Sequence, residues 1–135
     1  METDKKQKIV TTYIGGLLTP RGTYSKNLAI DHQINLKKNI RAGLDAFFAG
    51  FDPFVPAFDN VFWMVMQNGE TITESMIKRY SKTWLKRCDA LLLTPKWRKS
   101  PGTLAEIELA KKLEIPVFDT LDDLEDYVEK EEKDE

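Results

Sequence analysis

The chain is poor in the residues that most often carry metal, disulfide and redox chemistry. Its 135 residues include one cysteine, Cys88, and one histidine, His32. A single cysteine excludes an intrachain disulfide, and one cysteine with one histidine cannot build a Cys/His zinc site. A Cys-His nucleophilic pair stays open on paper, but no local motif supports it. Nor does one sign of charge dominate. The 20 basic and 22 acidic residues leave a formal charge of −2, which offers nucleic acid or an anionic membrane no net electrostatic pull. No apolar run is long enough for a membrane span, and Met1 leads into Lys5, Lys6 and Lys8 without the apolar stretch of a signal peptide. A reducing cytoplasm is therefore the expected location. What remains, 41% hydrophobic and 31% charged residues, is a globular composition. Without repeat or linker, a single domain over residues 1–135 is expected, with 1–7 and 129–135 as frayed ends.

The pattern along the chain alternates strands and helices. Residues 9–14 are β-branched and aromatic and end at Gly15-Gly16, which predicts a buried strand opening into a loop. After that loop, Leu36, Ile40, Leu44, Phe47 and Phe48 recur at helical spacing until Gly50, with Lys37, Lys38 and Arg41 on the wet side. Phe54-Val55-Pro56 predicts a short or edge strand, because of Pro53 and Pro56. The apolar stretch Phe58 to Met66 is too dense for a solvated loop and is expected to pack over the core, a pocket or a second subunit. Thr71 and Glu74 read as a capping box for a helix in which Met76, Ile77, Tyr80 and Trp84 keep helical spacing up to Arg87.

The unbroken run Ala90–Leu93 predicts a strand covered on both faces. Ser100-Pro101 supplies an N-cap and a first-turn proline, Leu104, Ile107, Ala110 and Leu113 mark an inner helical stripe, and 115–118 forms the next strand. A last helix follows from Thr120, with Leu121, Leu124, Tyr127 and Val128 inward. These elements predict an α/β domain with one doubly wound, mostly parallel sheet flanked by helices, whose ligand site lies outside the carboxyl ends of the strands.

Several residues at those ends have two readings. Ser100 either caps its helix or also presents the helix N-terminus to a phosphate or carboxylate. Trp97 either stacks on a base or packs on its own domain. Gly15-Gly16 is either a plain turn or a place where a ligand approaches the backbone. Glu106 reads, on composition and periodicity alone, as a solvated helical glutamate. Neither a Gly-x-Gly-x-x-Gly run after the first strand nor a P-loop lysine is present.

Three stretches together resemble the nucleoside 2-deoxyribosyltransferase-like superfamily: Tyr13 to Leu17, Trp84 to Leu93, and Gly102 to Ala110 leading into Ile115-Pro116-Val117-Phe118. The most specific piece is the Gly-x-x-x-Glu-x-x-x-Ala helix directly before an Ile-Pro-Val strand, and Phe54-Val55-Pro56 fits the same template. The resemblance implies a flavodoxin-like, Rossmann-type fold and cleavage of the N-glycosidic bond of nucleosides or their 5′-monophosphates, without metal or redox cofactor. It puts the nucleophile on Glu106, with Tyr13 beside it, Gly15 and Gly16 lining the sugar pocket, and Ser100 and Gly102 binding substrate. It also implies a homodimer or larger assembly.

One position departs from the pattern. Active relatives usually carry an aspartate eight positions before the Cys-Asp aspartate, here Asp89, and the count lands on Ser81. A serine hydroxyl can hydrogen-bond substrate but supplies no second carboxylate. Asp59 either replaces it from another loop or caps the next segment. Ser81 therefore keeps a second expectation open, a catalytically silent module that binds a nucleotide in the same pocket.

Overall fold

The structure, a computed structural model, describes residues 9–16, 28–57 and 62–134, with the backbone alone for Leu28 and Trp63. Four strands, β1 (Thr11–Gly15), β2 (Asp52–Phe54), β3 (Ala90–Leu93) and β4 (Val117–Phe118), form one sheet in the order β2-β1-β3-β4. Every pairing is parallel. Helices α1 (Leu28–Phe48), α2 (Phe62–Val65), α3 (Glu74–Leu85), α4 (Pro101–Lys112) and α5 (Leu121–Lys133) occupy the connections and the C-terminal end. This is the expected doubly wound, flavodoxin-like α/β arrangement, and its strand order reverses between β1 and β3.

The pleat of the central strands sorts the core into two layers. Ile14, Ala90 and Leu92 face α1 and α5, where Ala46 and Leu124 complete one cluster. Tyr13, Leu91 and Leu93 face α3 and α4, meeting Leu85, Ile107 and Ala110. β3 is buried along its whole length, as its unbroken apolar run predicts. The entry to β1 is fixed by Asp89, whose carboxylate accepts from the backbone N–H groups of Val10 at 2.9 Å and Thr11 at 3.0 Å. That gives Asp89 a structural role at the helix-to-strand connection.

Four expectations are corrected. β2 is at the sheet edge but is formed by Asp52–Phe54, so Val55 and Pro56 belong to the turn that follows. The cap of α3 is Thr73, whose hydroxyl accepts from Met76 N–H at 3.2 Å, and not Thr71. α5 stays helical to Lys133 instead of fraying from 129. The largest difference is in α1, which begins at Leu28: Leu36 and Ile40 pack half-buried against the core and Lys37, Lys38 and Arg41 are exposed, as their spacing predicts, but the deepest face is polar. Its buried face is Asp31, Asn35, Asn39, Gly43 and Ala46, whereas Leu44 and Phe47 are exposed and Phe48 is 72% exposed. Gly43 explains the close approach of α1 to the sheet edge, because a Cβ there would collide with the Val55 side chain.

Candidate active site

A cavity of about 630 Å³ opens at the carboxyl end of β1, beside the turn after β2 and the start of α4, and runs between α3 and α4. This is the place where the strand order reverses, and its size is within the range of small-molecule sites. Among the described residues, no group of three or more His, Cys, Asp and Glu side chains could hold a metal ion.

Glu106 enters the cavity from α4. The buried stripe of that helix is Thr103, Ile107 and Ala110, while Leu104 is 43% exposed and Leu113 is exposed as well. The stripe therefore turns toward Glu106, which corrects the solvated position that periodicity alone suggests. Its carboxylate accepts a hydrogen bond from the hydroxyl of Tyr13, a residue without solvent exposure whose ring stacks on Phe54 at 5.5 Å. Burial pushes the Glu106 carboxyl up to about 7, and the Tyr13 hydroxyl works in the opposite direction by favouring the anion. Half-ionised near neutral pH, such a carboxylate can attack an electrophilic carbon or steady a developing cation in the adjoining cavity.

Two glycines make room for this arrangement. A Cβ on Gly15 would stand 3.0 Å from Leu91 Cδ1 and 3.6 Å from Glu106 Oε1, so the backbone passes directly beside the carboxylate. A Cβ on Gly16 would overlap the Thr94 hydroxyl and lie 2.5 Å from Asn39 Oδ1. Those two side chains are themselves joined, Thr94 donating to Asn39 at 3.4 Å. Asn39 also donates to the Asn35 carbonyl at 3.1 Å. Asn39, which lines the cavity, and Thr94 were not among the sequence candidates. The available signal was the spacing of Asp31, Asn35 and Asn39, three polar residues on one helical face.

Ser100 caps α4 and lines the cavity at once. Its oxygen accepts from the Thr103 N–H at 3.1 Å and from the Thr103 hydroxyl at 2.9 Å, which leaves its own proton as the remaining hydrogen-bonding capacity. Gly102 lies beside it in the cavity wall. Ser81 enters from α3, half-buried, with no hydrogen bond to any described residue.

The structure does not bring Trp97 to this place. Its indole N–H donates to Asp119 at 2.7 Å, Arg98 lies over its ring at 4.4 Å, and the ring packs against the α3/α4 core layer, outside the cavity lining. Asp59 lies outside the described residues. Cys88 is buried, and desolvation, with Asp89 nearby, raises its thiol to about 11, so it is not a thiolate nucleophile at neutral pH.

The model of the family described as Domain of unknown function (DUF4406) matches residues 48–119, more than half of the 135. The chain belongs to that family. No curated protein matches it at a significant level. The DUF4406 match begins at the end of α1 and runs through β4, so it covers Ser81, Ser100, Gly102 and Glu106, while Tyr13, Gly15, Gly16 and Asn39 lie before it. No described helix of this DUF4406 protein is long and apolar enough to cross a membrane.

Proposed function

We propose that this DUF4406 protein is a member of the nucleoside 2-deoxyribosyltransferase-like superfamily that cleaves the N-glycosidic bond of a nucleoside or nucleoside 5′-monophosphate, with Glu106 as nucleophile. The observation that carries the proposal is Glu106 itself, a largely buried carboxylate held by the Tyr13 hydroxyl at the reversal point of the sheet and facing a cavity of nucleotide-compatible size. The ionised carboxylate attacks the anomeric carbon as the C–N bond breaks, and the departing base takes up a proton. The glycosyl ester on Glu106 is then released to water or to another acceptor. Tyr13 is a positioning residue that favours the reactive anion. Gly15 and Gly16 leave space for the sugar, and the free proton of Ser100, beside Gly102 at the N-terminus of α4, suits an oxygen of the substrate. No step of this chemistry calls for a metal or a redox cofactor, and the partner is a small molecule, not nucleic acid or a membrane.

A second reading is favoured by Ser81. Its hydroxyl enters the cavity with no hydrogen bond to a described residue, where a second carboxylate would assist proton transfer, which suits a module that binds a nucleotide and leaves it intact. The test is direct. The protein is incubated with common nucleosides, deoxynucleosides and their 5′-monophosphates, and free base is measured. Release that disappears in Glu106→Gln while ligand-induced thermal stabilisation persists supports the enzyme. Stabilisation by ligands that stay intact supports the binding module.

Self-association belongs to the same proposal. The α2 segment turns outward, with Met64 82% and Val65 75% exposed beside the exposed Phe62, and such apolar exposure suits a homodimer or larger assembly.

A further inference from the structure

The α3 wall of the cavity carries two lysines, Lys78 and Lys82. Glu74, Ile77, Lys78, Ser81 and Lys82 recur at i, i+3, i+4, i+7 and i+8, share one face of α3 and all line the cavity, while Glu106 enters from α4. Glu74 is 83% exposed and pairs with Lys78 at 3.2 Å across one turn. The Lys82 side chain makes no ion pair or hydrogen bond with any described residue, and the Ser81 hydroxyl makes none either. Lys78, Ser81 and Lys82 thus stand within about one helical turn of each other along this wall.

This donor set bears on the second half of the reaction. Water resolves a glycosyl ester efficiently only where a base takes its proton. The carboxylates among the described lining residues are Glu106, which carries the ester, and Glu74, which is solvated and held by Lys78. A hydrogen phosphate dianion needs no such base, because it is already an anionic nucleophile, and ammonium and hydroxyl donors hold it through charge-assisted hydrogen bonds.

We infer that Lys78, Ser81 and Lys82 form an oxyanion subsite for inorganic phosphate, which accepts the glycosyl group from Glu106 and leaves as a sugar 1-phosphate. The inference rests on the reading of Glu106 given above. A phosphate oxygen bonds to the anomeric carbon as the ester bond to Glu106 breaks, restoring the carboxylate. The proton that hydrogen phosphate sheds to solvent balances the one the base took up. Nucleoside and hydrogen phosphate thereby become free base and sugar 1-phosphate, with no redox change.

The same donors suit a phosphate carried by the substrate, and the experiment separates the two sources. The full chain is incubated with unphosphorylated nucleosides and, separately, with 5′-monophosphates, in phosphate-free buffer and with added inorganic phosphate. Free base is measured by chromatography and the sugar product by phosphorus-31 NMR. The expected result is that phosphate accelerates base release from unphosphorylated nucleosides about ten-fold or more and that the sugar appears as its 1-phosphate. Lys78→Gln and Lys82→Gln each raise the KM for phosphate about ten-fold, the loss of roughly one charge-assisted hydrogen bond. Lys78→Arg and Lys82→Arg, which keep the charge, recover most of that loss. Base release that is indifferent to phosphate and yields free sugar overturns the subsite and leaves the glycosidase reading standing. Release confined to 5′-monophosphates and weakened by the same variants assigns the lysines to the substrate's own phosphate and equally overturns the inference. No release from any substrate, with or without phosphate, overturns both.

Discussion

Replacing Tyr13 by phenylalanine isolates one hydrogen bond at the centre of the site. The ring stays stacked on Phe54 and only the hydroxyl that donates to Glu106 is lost. Burial already raises the Glu106 carboxyl from 4.5 to about 7, so ionising it in the folded protein costs about 3 kcal/mol relative to the unfolded chain. A hydrogen bond to a charged acceptor contributes about 1.5–3 kcal/mol. Without it the carboxylate is less favoured, and the Tyr13→Phe carboxyl titrates about 1 to 2 pH units higher than the parent's. Because the native state holds the Glu106 proton more tightly than the unfolded state, its contribution to stability is full below about 4.5 and is lost as pH rises through about 7. In Tyr13→Phe that loss continues to higher pH and becomes larger. The assay is carbon-13 NMR of glutamate side-chain carboxyls across pH, with Glu106→Gln to assign the resonance, and urea unfolding at matched pH values. Neither measurement needs a substrate. Where substrate is turned over, base release rises with the ionisation of Glu106 and its midpoint moves up in the variant. A carboxyl resonance in Tyr13→Phe that titrates at the parent's pH, or lower, would refute the reasoning.

Other positions give independent checks. Thr12 Oγ1 is the one buried side-chain polar atom among the described residues that has no hydrogen bond, so Thr12→Val, nearly equal in volume, is expected to raise stability by about 1 kcal/mol in urea unfolding. Gly16→Ala forces a methyl group into the Thr94 hydroxyl and Asn39, and a loss of about 1–3 kcal/mol is expected, together with weaker ligand-induced stabilisation. Asp89→Ala leaves the Val10 and Thr11 N–H groups without their carboxylate acceptor, which is expected to cost about 2 kcal/mol and to speed amide exchange at the start of β1. Met64→Glu with Val65→Lys is expected to lower the mass measured by light scattering from that of an oligomer to that of a monomer, without lowering the melting temperature of the fold.

The parts of the fold that were legible in the sequence are those decided by local chemistry. The run Ala90–Leu93 is buried on both faces and admits one reading. Ser100-Pro101 starts α4 because a side-chain acceptor and a residue without an N–H are both suited to a first turn. Phase was harder than existence. On α4, Leu104 and Leu113 share helical spacing with Ile107 and Ala110, yet the helix turns Thr103 inward and leaves both leucines exposed. Thr103 is held in its buried place by hydrogen bonds to the capping Ser100, a local polar contact that an apolar count does not register. That shift is what carries Glu106 from the solvated side toward the cavity, so the residue was reachable by motif resemblance and not by periodicity.

The polar inner face of α1 has a cause of the same kind. Apolar spacing assumes that the face of a helix turned to the protein is there to be dry. On α1 the inward face is Asp31, Asn35 and Asn39, and the aromatic residues Phe47 and Phe48 face outward. Burying three polar side chains costs stability unless each finds partners, and α1 supplies some of them at the reversal point, where Asn39 meets Thr94 across the space that Gly16 leaves open. The other buried polar side chains include Ser100 and Thr103, which reach the same cavity from α4. Apart from Thr12 within β1, the buried polar side chains belong to α1, to Thr94 directly after β3 and to Ser100 and Thr103 at the start of α4. A chain selected only for stability would fill those positions with aliphatic residues. Buried and paired, Asn39, Ser100 and Thr103 line the same cavity that Glu106 enters, so the polar interior and the carboxylate share one end of the fold.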